Sequence, residues 1–167
     1  MDIDADLHYP AGPERTMAVL ADQGFQEEKC RQTGALSYTV SVRTDAGADG
    51  RVVIDSVRNL PTDSLPDFAR SFLGGKLEVH EVQDWGPAAA DGARDCVLTV
   101  DIAGAPMKLT GTMALRPDGA DASTVAVRSV LKASIPLIGG KAEKAAAGPI
   151  RAAMAKEEQL GAEWLAR

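Results

Sequence analysis

His8, His80, Cys30 and Cys96 are the side chains of this 167-residue chain best suited to nucleophilic, acid–base or metal chemistry. Their setting supports none of it. A serine hydrolase needs its nucleophile beside a histidine base, and no Gly-x-Ser-x-Gly sequence occurs. His80 alternates with Glu78, Val82 and Asp84 against Leu77, Val79 and Trp85, which turns it toward solvent. His8 lies opposite Leu7 and Tyr9 and reads the same way. Metal ligation needs several converging His, Cys or acidic residues, and the cysteines form no CxxC pair and lack nearby histidines. They read as small buried hydrophobes, and no metal, other cofactor or catalytic residue is expected.

Gly139-Gly140-Lys141 and Gly74-Gly75-Lys76 suggest phosphate loops at first sight. Neither has the earlier glycine at the required distance or a hydroxyl residue after the lysine. The first pair is better suited to a tight strand-to-helix turn. What remains is a set of polar residues able to anchor a ligand in an apolar pocket: Tyr38, Arg58, Glu81 and Ser129. Glu81 falls in the frame of Leu77, Val79 and Trp85, and Ser129 in that of Val127, Leu131 and Ala133. A buried carboxylate needs a partner or a raised pKa. The alternatives are a solvent-facing Glu81 on a half-polar strand and a Ser129 bonded to backbone.

The elements that must position these residues are legible from periodicity. Ile3, Ala5, Leu7 and Tyr9 share one face of a first strand, and Gly12-Pro13-Glu14 opens a short helix. Residues 25–31 form a second short helix or turn. Alternating strands follow at Tyr38–Val42, Arg51–Arg58, Leu77–Trp85, Cys96–Ile102, Met107–Leu115 and Val125–Ile135, the last being the longest. Asp45-Ala46-Gly47-Ala48-Asp49-Gly50 is a hairpin loop, and Gly104-Ala105-Pro106 and Pro117-Asp118-Gly119 are turns. Connections this short require antiparallel neighbours.

An insertion at Leu60–Gly75 carries a one- to two-turn helix, with Ser64 as a cap, Phe68 and Phe72 on one face and Gly74 as a left-handed stop. It either plugs the end of the core or gates a cavity mouth. The chain closes with an alanine-rich helix running to Trp164-Leu165, interrupted by Pro149. Its face of Ala142, Ala145, Ala146, Pro149 and Ala153, with Ile150 beside it, borders a space rather than filling one. Trp85 and Met113 complete the expected wall, with core packing as their alternative. One long helix closing an antiparallel β protein implies an α+β helix-grip fold, a curved sheet of six to seven strands wrapped around that helix. Residues 1–167 read as one domain.

Bulk properties narrow the function. A net charge of −6 without a basic stripe argues against nucleic acid. No run approaches the ~20 apolar residues of a membrane span, and the acidic start lacks a signal peptide, so a cytoplasmic location without stable membrane insertion is expected. Oligomeric state is not encoded legibly.

Asn59-Leu60-Pro61, Leu65-Pro66, Phe72-Leu73-Gly74, Glu81 with Trp85, Gly104-Ala105-Pro106, Gly111-Thr112, Pro136 to Lys141 with Glu143, and Trp164-Leu165 together resemble an uncharacterised bacterial family of the START-like superfamily. Polyketide cyclases, coenzyme Q-binding proteins and birch-pollen allergen relatives belong to that superfamily. The resemblance covers nearly the whole chain. It implies a cavity between sheet and long helix that takes a lipid, isoprenoid, sterol, quinone or polyketide. The leading expectation is non-catalytic binding or transport of such a molecule. A cyclase- or aromatase-type enzyme, which would need at least two ionisable groups converging in the pocket, and a protein-interaction module with a filled core are the alternatives.

Overall fold

The computed structural model describes residues 1–44 and 49–167. Of the hairpin loop expected at Asp45–Gly50, the first four residues lie outside the described ones. Seven strands and four helices follow in order: β1 (Asp2–Tyr9), α1 (Pro13–Leu20), α2 (Gln23–Gln32), β2 (Ser37–Thr44), β3 (Val52–Leu60), α3 (Asp67–Leu73), β4 (Leu77–Trp85), β5 (Arg94–Ile102), β6 (Met107–Pro117), β7 (Ser123–Ala133) and α4 (Gly139–Leu165). The strands form one antiparallel sheet in the order β1-β7-β6-β5-β4-β3-β2. Only β1, beside β7, is out of sequence, because α1 and α2 carry the chain from one sheet edge to the other. This is the helix-grip α+β fold.

Local chemistry accounts for the helix starts. Pro13 occupies the first position of α1, where its missing N–H is not needed. Asp22 caps α2 by accepting from the Phe25 N–H at 2.9 Å. Helix α3 differs from expectation at its start: Pro66 stands at the N-cap and Ser64 makes no cap, whereas Gly74 does end the helix in the left-handed region. Strand β7 stops at Ala133, short of Ile135, and equals β6 in length.

The turn into α4 also differs from expectation. Its left-handed residue is Leu137, at φ 68°, and not a glycine. Gly139 is required for close approach instead, since a Cβ there would overlap the Ala133 carbonyl oxygen. Glu143 then ties α4 to the sheet, accepting from the Ala133 N–H at 2.9 Å and pairing with the Met1 amine at 3.5 Å.

The core lies between the concave sheet face and α4, which packs on β1, β7, α1 and α2. Part of it lies against the C-terminal half of the helix. Leu160, Gly161 and Leu165 are buried there, and Phe25 meets Trp164 edge-on at 5.6 Å. Gly161 has no room for a methyl group, because the Tyr9 ring occupies the space. Cys30 and Cys96 are buried free thiols.

Gly111 of β6 faces Ser129 of β7 so closely that a Cβ would overlap the Arg128 oxygen and the Ser129 backbone. Gly111→Ala is therefore expected to cost stability at the upper end of the ~1–3 kcal/mol typical of overpacking. Gly140→Ala, which meets nothing within 4 Å, is expected to be neutral or stabilising by up to ~1 kcal/mol. Urea denaturation of the two variants checks the contrast.

Candidate functional site

Between α4, α3 and the concave sheet face lies a cavity of about 290 Å³. The sheet contributes Leu98, Val100, Leu109, Met113, Val127 and Leu131, whose inward positions follow from strand alternation. Helix α4 contributes Ala142, Ala145, Ala146, Pro149, Ile150, Ala153 and Met154, then Glu157. From Ala142 to Glu157 this edge runs roughly 22 Å at 1.5 Å per residue. Phe68 and Phe72 of α3 cover part of the remaining side, and none of the α3 residues is buried. The Lys141 ammonium sits 4.7 Å from the centre of the Phe68 ring and links α3 to the start of α4.

One part of this apolar wall is charged. Lys29 of α2, Arg58 of β3, Glu81 of β4 and Glu157 of α4 all line the cavity and bond to one another. Lys29 Nζ donates to Glu81 Oε1 at 3.3 Å and to Glu157 Oε2 at 3.1 Å. Arg58 Nη2 donates to Glu81 Oε2 at 3.0 Å. Gln83 Nε2 adds a bond to Glu81 Oε1 at 2.8 Å, and its own oxygen accepts from Trp85 Nε1 at 3.0 Å. Arg58 Nε and Glu157 Oε1 are buried without a partner.

The sheet register explains the meeting of Arg58 and Glu81. Glu81 stands opposite Ser56, so Arg58 reaches it diagonally, as long side chains do across antiparallel strands. Burial alone would raise the Glu81 pKa; Lys29 and then Arg58 more than reverse this and lower it to about 2. Burial likewise opposes the Lys29 charge, but Glu157 and Glu81 raise its pKa above the ordinary 10.5. Tyr9, buried close by, has its hydroxyl pKa raised by burial and by the Glu157 and Glu158 charges.

Of the residues expected at the site, Arg58, Phe68, Phe72, Glu81, Met113, Ala146 and Ile150 border the cavity. Tyr38, Trp85 and Ser129 do not. Tyr38 lies on the edge strand β2, where its hydroxyl receives a bond from Arg31 on the outside of the molecule. Trp85 is fully buried at the far end of β4, between Val52 and Cys96 of the neighbouring strands. Ser129 donates its hydroxyl to the Ile3 carbonyl oxygen, the backbone-bonding alternative. His80 pairs with Asp55 at 2.8 Å on the exposed sheet face.

Lys29, Gln83 and Glu157 were not anticipated, although each left a trace. Lys29 follows Phe25 by four residues on α2, Glu157 lies between Ala153 and Leu160 on the apolar face of α4, and Gln83 falls in the frame of Glu81 and Trp85. Among the described residues, no group of three or more His, Cys, Asp or Glu is placed to hold a metal ion. Among the same described residues, no helix is long and apolar enough to cross a membrane.

A long helix gripped by an antiparallel sheet, with a largely apolar cavity between them, defines the helix-grip fold class. Solved structures agree on the fold. A START superfamily protein from Mycobacterium smegmatis aligns with a TM-score of 0.55 at 14% identity, covering 98% of each chain. The ZhuI aromatase/cyclase from Streptomyces sp. R1128 gives 0.54 at 10% identity, over 99% of this chain and 90% of its own. A truncated norcoclaurine synthase from Thalictrum flavum gives 0.55 at 14%, over 95% and 90%. A family model described as "Protein of unknown function (DUF2505)" matches residues 4–165, and the chain belongs to that family. Uncharacterized protein Rv0481c of Mycobacterium tuberculosis is 25% identical over 98% of this chain and 95% of its own length.

The charged network carries a definite pH dependence. The Glu81 carboxyl pKa is lower folded than unfolded, so its stabilisation is present above about 4.5 and lost as pH falls toward about 2. Lys29 has the opposite sign: its contribution is present below 10.5 and lost as pH rises beyond it. Lys29→Met leaves Glu157 without its cation and is expected to cost ~3–5 kcal/mol at neutral pH. That deficit is expected to shrink as pH falls toward about 4.5, because Glu81, having lost Lys29 as a counter-charge, is then relieved by protonation. Denaturant titrations of both proteins across this range measure it.

Proposed function

We propose that this chain binds, and thereby carries, a small hydrophobic molecule of the lipid, isoprenoid, quinone or polyketide class, without transforming it. The cavity is the observation that supports this reading most directly. A space of about 290 Å³ walled by aliphatic side chains and alanines, with a few convergent polar groups, has the composition of a small-molecule site. An interaction module with a filled core accounts poorly for that space.

The converging Glu81, Lys29, Arg58 and Glu157 lend support to a second reading, a cyclase-type enzyme, since such chemistry needs ionisable groups inside the pocket. Proton transfer near neutrality wants a group whose pKa lies near the working pH. Glu81 is held at about 2 and Lys29 above its ordinary value, so each is fixed in its charged form. This weighs toward binding and against catalysis.

Native mass spectrometry of protein purified gently from its own host is expected to show a co-purified apolar molecule. Thermal shift measurements across quinones, sterols and fatty acids provide the second arm. Ala146→Phe, which places a ring in the cavity, is expected to weaken binding at least tenfold while the protein stays folded. A clean ligand-free mass together with no thermal shift for any class would overturn the proposal.

A further inference from the structure

The charged part of the cavity wall has a property that selects among hydrophobic ligands. Lys29 and Arg58 contribute two positive charges, and Glu81 and Glu157 two negative ones, so the formal sum is zero. Apart from the uncharged Thr33 and Gln83, the rest of the wall is apolar and offers no group that compensates a charge. A carboxylate entering beside this group would leave the pocket with an unbalanced negative charge, and an ammonium with an unbalanced positive one. Away from water such an imbalance is strongly unfavourable.

The same group does not use all its hydrogen-bonding capacity. Glu157 Oε1 and Arg58 Nε are buried without partners, and Lys29 spends two of its three N–H donors on Glu81 and Glu157. Arg58 Nη1 reaches Thr33 Oγ1 only at 3.5 Å. Both a spare acceptor and spare donors therefore sit in one cluster of cavity-wall side chains. A hydroxyl can accept from one and donate to the other while adding no charge.

We infer that the ligand is a neutral amphiphile, an apolar body bearing a hydroxyl head that engages the Lys29–Arg58–Glu81–Glu157 group, and that this group discriminates against fatty acids and cationic amphiphiles. The inference rests on the cavity being a ligand site, as proposed above. Size adds a constraint. A space of about 290 Å³ lies at the small end of the ~300–1,000 Å³ typical of ligand pockets, which suits a small ligand.

The test uses four probes built on a ten-carbon chain, at about pH 7.5 on the full protein: 1-decanol, 1-methoxydecane, decanoate and decyltrimethylammonium, each below its micellar concentration, with binding read by calorimetry or fluorescent-probe displacement. Decanol is expected to bind at least tenfold more tightly than either charged probe and several-fold more tightly than the ether. Glu157→Gln changes the cluster to net positive with little change of shape, and is expected to improve decanoate relative to decanol by at least tenfold.

Decanoate or the cation binding as tightly as decanol to the wild type would overturn the inference while leaving hydrophobic binding standing. Equal binding of the ether would overturn the hydroxyl assignment. A folded Glu157→Gln protein with unchanged charge preference would overturn the role given to charge balance. If none of the four probes binds, this inference fails, while the proposed function is decided by the native mass and the thermal shifts described above. The wild-type comparison decides the matter even if the variant does not fold.

Discussion

The carboxylate of Glu81 cannot remain ionised against an apolar cavity unless positive charge is brought to it. Isolated charges in a protein interior are expensive, and breaking one partner out of a buried pair is more damaging than never having built it. Lys29 and Arg58 supply the charge, and Glu157 balances the lysine in turn. Those four residues come from α2, β3, β4 and α4. Forming the network thus requires the second helix to lie across the sheet edge, β3 and β4 to hold their register, and the closing helix to be docked. The interaction fixes relative positions that apolar packing alone would leave more adjustable.

Docking of α4 is correspondingly uneven along its length. Near its C-terminus the helix is clamped by Leu160 and Leu165, by the Trp164–Phe25 contact and by the absence of a side chain at Gly161 under the Tyr9 ring. At its N-terminus, Gly139 approaches the Ala133 oxygen and Glu143 bonds the Ala133 N–H. Between these two anchors the helix presents mostly alanines and a proline to the curved sheet, with Ile150 and Met154 as the larger exceptions. Small side chains cannot span the distance, so volume is left over. The cavity follows from anchoring both ends of a small-faced helix against a concave surface.

Much of this architecture was legible in the sequence, for reasons of periodicity. Alternation placed Ile3, Leu7, Val127 and Leu131 inward, and short turns required antiparallel pairing; both hold in the structure. The α4 face was readable as a boundary because alanine recurs at helical spacing. Glu81 was recognisable as an anomaly within an apolar frame. Its partners were harder to see, because Lys29 lies 52 residues away on a helix rich in charge, where only its spacing of four from Phe25 sets it apart from the exposed Arg31. Ser129 and Trp85 show the converse difficulty. An inward frame establishes burial, but it does not separate a cavity wall from core, and a hydrogen bond to Ile3 or a neighbouring Gln83 settles the side chain elsewhere. Leu137 in the left-handed region shows that neighbouring glycines do not identify which residue turns.

The central claim is that Glu81 is an ionised member of the cavity wall, held there by two cations. Carbon-13 NMR of side-chain-labelled glutamates, with Glu81 assigned by its glutamine variant, reads this directly. The account requires the Glu81 carboxyl resonance to remain at its ionised position on acidification past pH 4.5, moving only toward about 2 or when the protein unfolds. A Glu81 resonance that titrates at 4.5 or above in the folded protein would contradict it, and would mean that Lys29 and Arg58 do not hold the carboxylate in the way described.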